Sequence, residues 1–81
     1  MRVRVEVHLR KGVADPEGNN TLKALTLLGF QGVKEVRSAK LFEIDLATDD
    51  PKGAEKEAQE MCRRLLANPV IHDCRISVEK R

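Results

Sequence analysis

Aromatic side chains are almost missing from this 81-residue chain, which has no Trp, no Tyr and only two Phe, Phe30 and Phe42. Proteins that stack nucleic-acid bases need exposed aromatics. Both Phe read as core residues instead, Phe30 in a turn after a helix and Phe42 on a strand face shared with Ile44 and Leu46. No charge of one sign dominates either: fifteen Lys and Arg against thirteen Asp and Glu leave a formal charge of +2. That balance argues against a phosphate-binding surface, so no nucleic acid is expected as partner. Long apolar runs are absent. MRVRVEVHLRK at the N-terminus alternates charge with valine, so neither a signal peptide nor a membrane span is expected, and the expected location is cytoplasmic. Cysteine is scarce: Cys62 and Cys74 form no CxxC and have no His spacing that would complete a zinc site. In a reducing compartment they are expected to be reduced, small buried hydrophobes.

A chain of this length makes one domain, residues 1–81, and a domain so short buries only about 60% of the surface that its unfolded chain exposes. With disulfides and metals set aside, association is the remaining stabiliser.

What is present is periodicity. Val3, Val5, Val7 and Leu9 alternate with Arg2, Arg4, Glu6, His8 and Arg10, which predicts a half-buried strand. Asp15 as N-cap and Pro16 at the first helical position open a helix whose stripe is Leu22, Leu25 and Leu28 and whose stop is Gly29. Val33 to Arg37 predicts a second strand and Leu41 to Leu46 a third, with Phe42, Ile44 and Leu46 inward. The short turn Ser38 to Lys40 would make those two an antiparallel hairpin. Asp49, Asp50, Pro51 and Gly53 start a second helix with Ala54, Ala58, Met61, Cys62, Leu65 and Leu66 on one side, stopped by Asn68 and Pro69. A last strand, Val70 to Glu79, turns Cys74, Ile76 and Val78 to one face, and Lys80 and Arg81 end the chain in solvent.

The predicted order is therefore βαββαβ, an α+β ferredoxin-like layout with an antiparallel sheet and two helices on one face. Its other face needs polar side chains or a partner. Leu41, Ile71 and Val33 are assigned to that second face, and an apolar face on so thin a domain predicts completion or covering by a homo-oligomer, dimer or tetramer, through sheet contact or exchanged segments.

No catalytic constellation emerges. In His72, Asp73, Cys74 the neighbours leave opposite faces of a strand, and His72 and Cys74 stand about 6.5 to 7 Å apart along it, so no triad forms. His8 lies at a polar strand position and reads as a surface residue. Neither a GxxxxGK[ST] loop nor a GxGxxG run appears. Asp15 to Gly18 could aim backbone N–H groups at an anion, although ordinary capping accounts for it.

Three segments carry a resemblance: LRKGVADPEG at 9–18, LGFQGVKEVRSAK at 28–40, and MCRRLLANPVIHD at 61–73. In this order they resemble PurS, the small subunit of phosphoribosylformylglycinamidine (FGAM) synthase, over nearly the whole chain. The chain departs from the family's usual pattern at Ala39, where Gly is usual, at His72, where an acidic residue is, and at Cys74, where an aromatic is.

The resemblance implies a non-catalytic subunit of a carbon–nitrogen ligase of purine biosynthesis. The assembled enzyme converts formylglycinamide ribonucleotide, glutamine and ATP to formylglycinamidine ribonucleotide, glutamate, ADP and phosphate. A glutaminase subunit releases ammonia, a synthetase subunit uses it with ATP and magnesium, and the PurS homodimer bridges them; no cofactor is expected on this chain alone. The residues assigned to partner contact are Asp15, Pro16, Glu17 and Gly18, then Leu41, then Asn68, Pro69 and Ile71. A reading from another class is a free-standing regulatory module that binds a small metabolite between paired domains.

Overall fold

A computed structural model describes residues 1–79; the expectation of a solvated Lys80 and Arg81 lies outside the described residues. Alternation in the first ten residues does form the central strand, β1 (Arg2–Leu9). Val3 and Val5 are fully buried and Val7 nearly so, while the residues between them face outward. β1 pairs antiparallel with β2 (Ala39–Asp45) on one side and β3 (His72–Glu79) on the other, giving a three-stranded sheet of order β2-β1-β3. In that register Val5 stands between Phe42 and Ile76, and Val3 between Ile44 and Val78. One face is thus a band of valine, isoleucine and phenylalanine.

Helix α2 (Pro51–Met61) covers that band. Asp50 caps it through Lys52 N–H (3.2 Å), and Pro51 takes the first turn, where a missing N–H costs nothing. Ala54 and Ala58 are fully buried against the valines, small side chains that let helix and sheet approach closely. The helix widens into a π turn, Cys62–Leu66, and ends at extended Ala67 ahead of Asn68 and Pro69. Cys62 completes the core; Leu65, placed by its spacing on the buried stripe, is instead 83% exposed because the wider turn shifts its direction.

The segment before β2 differs from expectation. Val33 to Arg37 forms no strand, no hairpin forms across Ser38 to Lys40, and β2 pairs with β1 alone. The sheet therefore has three strands, not four.

Helix α1 (Pro16–Leu27) starts and stops as its residues dictate. Asp15 caps it, and Gly29, at φ +99°, closes a Schellman motif in which Gly29 N–H bonds Thr26 O (3.1 Å) and Phe30 N–H bonds Leu25 O (3.0 Å). Yet only Gly18 of this helix is buried. α1 and the residues after it form an arm beside the sheet, and the molecule measures 48 × 28 × 14 Å. Its radius of gyration of 15.9 Å exceeds the roughly 12 Å of a compact chain of this length.

Candidate partner interface

Three places hold the residues assigned to contact. At the root of the arm, Asp15 Oδ1 accepts from Gly18 N–H (2.9 Å) and the Ser38 hydroxyl (2.8 Å), and Oδ2 accepts from Ser38 N–H (2.6 Å). These bonds, the backbone donors first, hold the Asp15 carboxyl below its usual value. Gly18 is there because a Cβ at this position would run into the carbonyl of Val36. Arg37 donates to the carbonyls of Leu9 (3.1 Å) and Arg10 (3.5 Å), so the two ends of the arm are tied to each other through Asp15 and Ser38, and to the end of β1 through Arg37. Pro16 and Glu17 line a cavity of about 320 Å³ here, with Val7, Leu66 and His72 on its other side.

The second place is the loop between the π turn and β3. Asn68 organises it: its carbonyl accepts from Ile71 and His72 N–H, its side chain accepts from Val70 N–H (3.0 Å), and its own N–H donates to His72 Nδ1 (2.9 Å). Arg10 ties the loop to β1, donating to Pro69 O (2.8 Å), while Arg10 N–H bonds Ile71 O (2.7 Å). This loop and the arm root approach the same cavity through Leu66 and His72. Leu41 stands apart, 51% exposed on the outer face of β2 opposite Glu6.

That outer face is not apolar. Arg2 pairs with Asp45 and Glu43 at 3.1 Å each, Arg4 with Glu79 (3.4 Å) and Glu43 (3.9 Å), and His8 with Glu6 (3.0 Å). Leu41 is one large apolar residue among charges, Val33 is not on the sheet, and Ile71 lies in the loop before β3. Stacking of two apolar sheet faces is therefore not the route to association.

The surplus apolar surface lies elsewhere. Leu27 is 88% exposed and Leu28 74%, and Phe30, expected in the core, is exposed as well. Phe30 sits beyond α1 and off the sheet, so it does not make a stacking platform there. Beside α2, over the inner face of β2, an apolar groove of about 530 Å³ is lined by Ile44, Met61, Leu65 and Leu66, with Glu57, Glu60 and Arg64 at its rim. The groove lies where a βαββαβ layout seats its first helix. Sequence reasoning read Leu22, Leu25 and Leu28 as the apolar stripe of the helix and missed both surfaces. The available signal was Leu27, which lies off the Leu22, Leu25 and Leu28 stripe and makes the apolar surface of α1 wider than one stripe.

Among the described residues, no group of three or more His, Cys, Asp or Glu side chains could hold a metal ion, and no helix is long and apolar enough to cross a membrane. Asp73 faces out of the sheet and His72 in, with His72 Nδ1 committed to the Asn68 N–H. Charge, apolar surface and loop geometry together define an α+β protein whose exposed parts are suited to contact with other chains.

Comparison with known proteins makes this specific. Residues 2–80 match the model of the PurS family, described as phosphoribosylformylglycinamidine (FGAM) synthase, and the chain belongs to that family. It is 57% identical over 67 residues to phosphoribosylformylglycinamidine synthase subunit PurS of Archaeoglobus fulgidus, an alignment covering 83% of this chain and 84% of that one. The crystal structure of PurS from Methanocaldococcus jannaschii superposes with a TM-score of 0.90 at 45% identity, covering 99% of this chain and 96% of the other. Bacillus subtilis PurS gives 0.86 at 37% identity, with 98% of each chain covered.

Proposed function

We propose that this chain serves as the bridging subunit of FGAM synthase in the cytoplasm, with residues 1–81 acting as one domain. In this reading it holds a glutaminase subunit and an ATP- and magnesium-using synthetase subunit together and carries out no chemical step itself. The observation that carries the proposal is the family match over residues 2–80 together with the identity to PurS subunits in archaea and bacteria. The metabolite-binding alternative has no comparable support.

The physical contribution of such a subunit is positional. Ammonia released at one site is lost by dilution and protonation unless the second site is held against the first, and fixing two reacting centres replaces a bimolecular encounter with an intramolecular one. The arm-root cavity and the Asn68 loop are the proposed contacts for the larger subunits. For self-association the proposed site is the open groove lined by Ile44, Met61 and Leu65, with α1 of a second copy, which carries Leu22, Leu25 and Leu28, as its occupant. Burying that stripe, Leu28 above all, removes part of the exposed apolar surface that a monomer would leave in water.

Reconstitution tests the function. The two large subunits are assayed for glutamine-dependent formation of formylglycinamidine ribonucleotide with and without this chain. The expected outcome is a strong gain on its addition while the ammonia-driven reaction changes little; equal glutamine-dependent rates would overturn the proposal.

A further inference from the structure

The two thiols of this chain line one cavity. Cys62, on the π turn after α2, is only 6% exposed and belongs to the core cluster. Cys74 lies on the inner face of β3, directly opposite Val7 in the register, half-buried and packed against that same cluster. Both line one cavity of about 190 Å³ with Arg10, Ala67, Pro69 and His72. Burial first and the adjacent Cys74 thiol second push Cys62 up to about 12. The thiols are free, and they differ in access: Cys74 is half-buried and Cys62 buried.

We propose that Cys62 and Cys74 are a reversible disulfide pair, oxidised by a low-molecular-weight disulfide and closing the chain across the Asn68 loop. Cys74, as thiolate, attacks one sulfur of the small disulfide. The S–S bond of that reagent breaks, one of its thiolates leaves and takes up a proton, and a mixed disulfide remains on Cys74. Cys62 then loses its proton and attacks Cys74 Sγ, expelling the second small thiolate, which is protonated in turn. Two protein thiols and one disulfide become one protein disulfide and two small thiols. The half-exposed residue receives the reagent and the buried one resolves it, the division of labour found in reversible thiol switches.

The bridge would join the start of the π turn to the start of β3, so the closed ring contains Asn68, Pro69 and Ile71. It adds a covalent tie to a loop now held by hydrogen bonds from Asn68, Arg10 and His72, by the Arg10–Asp73 ion pair and by the packing of Leu66 and Ala67 on the core. The resolving step has its own signature: because its nucleophile is the disfavoured thiolate of Cys62, ring closure should accelerate about tenfold per unit from about pH 7 to about pH 9.

The full chain is incubated with oxidised glutathione, quenched with acid and followed by intact mass, peptide mapping and non-reducing electrophoresis. The expected product is a single chain lighter by two hydrogen atoms, linked Cys62 to Cys74, with Tm raised on the order of 10 °C and restored by dithiothreitol. Cys62→Ala should stop at a glutathione adduct on Cys74, and Cys74→Ala should stay unmodified. A wild-type chain that keeps glutathione on Cys74 with Cys62 free, links two chains together, or fails to react would overturn the proposal.

Discussion

The sheet with α2 and the arm built on α1 are made of similar residues and are put to opposite use. In the first, Val3, Val5, Ala54 and Ala58 are fully buried. In the second, Leu27 and Leu28 stand 88% and 74% exposed, and the only buried residue of the helix is Gly18 at its root. The first half holds itself together. The second half is anchored at Asp15, Gly18 and Arg37, but among the described residues its Leu27 and Leu28 stay largely uncovered. Stability and association are thus separated along the chain, and each half should respond to mutation in a different observable.

The largest expected effect is on association. Replacing Leu25 and Leu28 together by Asp puts two carboxylates on the apolar side of α1. Each buried leucine contributes about 1.5 to 3 kcal/mol, so the pair should weaken self-association at least about a hundredfold in analytical ultracentrifugation. Far-UV circular dichroism should keep the sheet signature. An unchanged oligomer would show that α1 is not the contact and would return the search to the arm root and the Asn68 loop.

The mirror experiment lies in the other half. Val5→Ala removes two methyl groups from a fully buried site between Phe42 and Ile76, and should lower stability by about 2 kcal/mol in urea unfolding at fixed protein concentration. Self-association measured well below the unfolding transition should stay within about threefold. If Val5→Ala dissociated the oligomer as strongly as the leucine pair, the two halves would not be energetically separate.

Much of this division was legible in the sequence, and the part that was not has a physical cause. Strict alternation in β1, the capping residues Asp15 and Asp50, the αL stop at Gly29 and the Asn68–Pro69 break are local signals, and each appears where the residues place it. Val33 to Arg37 misled because strand pattern records a tendency to pair, not a partner, and in this chain the segment has no ladder to join. Leu22, Leu25 and Leu28 misled for the same reason: an apolar stripe states that a surface is to be covered without stating by which chain. Asp15 as a cap and Asn68 as a helix stop were legible from local chemistry, whereas the bonds from Ser38 to Asp15 and from Asn68 to His72 join residues that no local signal couples. The groove over β2 was invisible because it is defined by what is not packed there.

The smallest expected effect sharpens the boundary between the halves, at Asp15. Its carboxyl is held below its ordinary value by the N–H groups of Ser38 and Gly18 and the Ser38 hydroxyl, so the ionised form is favoured in the folded state. A depressed folded value means that the stabilisation is present above the unfolded value, near 3.8, and is lost as pH falls through the still lower folded value. In Asp15→Asn the amide still accepts on one side, but its NH2 meets a donor on the other, so Tm at neutral pH should fall by roughly 5 °C. The difference from wild type should narrow as acid protonates the wild-type carboxylate, because both chains then carry a neutral group at the root of the arm. A wild-type minus Asn difference that stayed constant from neutral to strongly acid pH would mean that shape, and not charge, secures the arm to the end of β1.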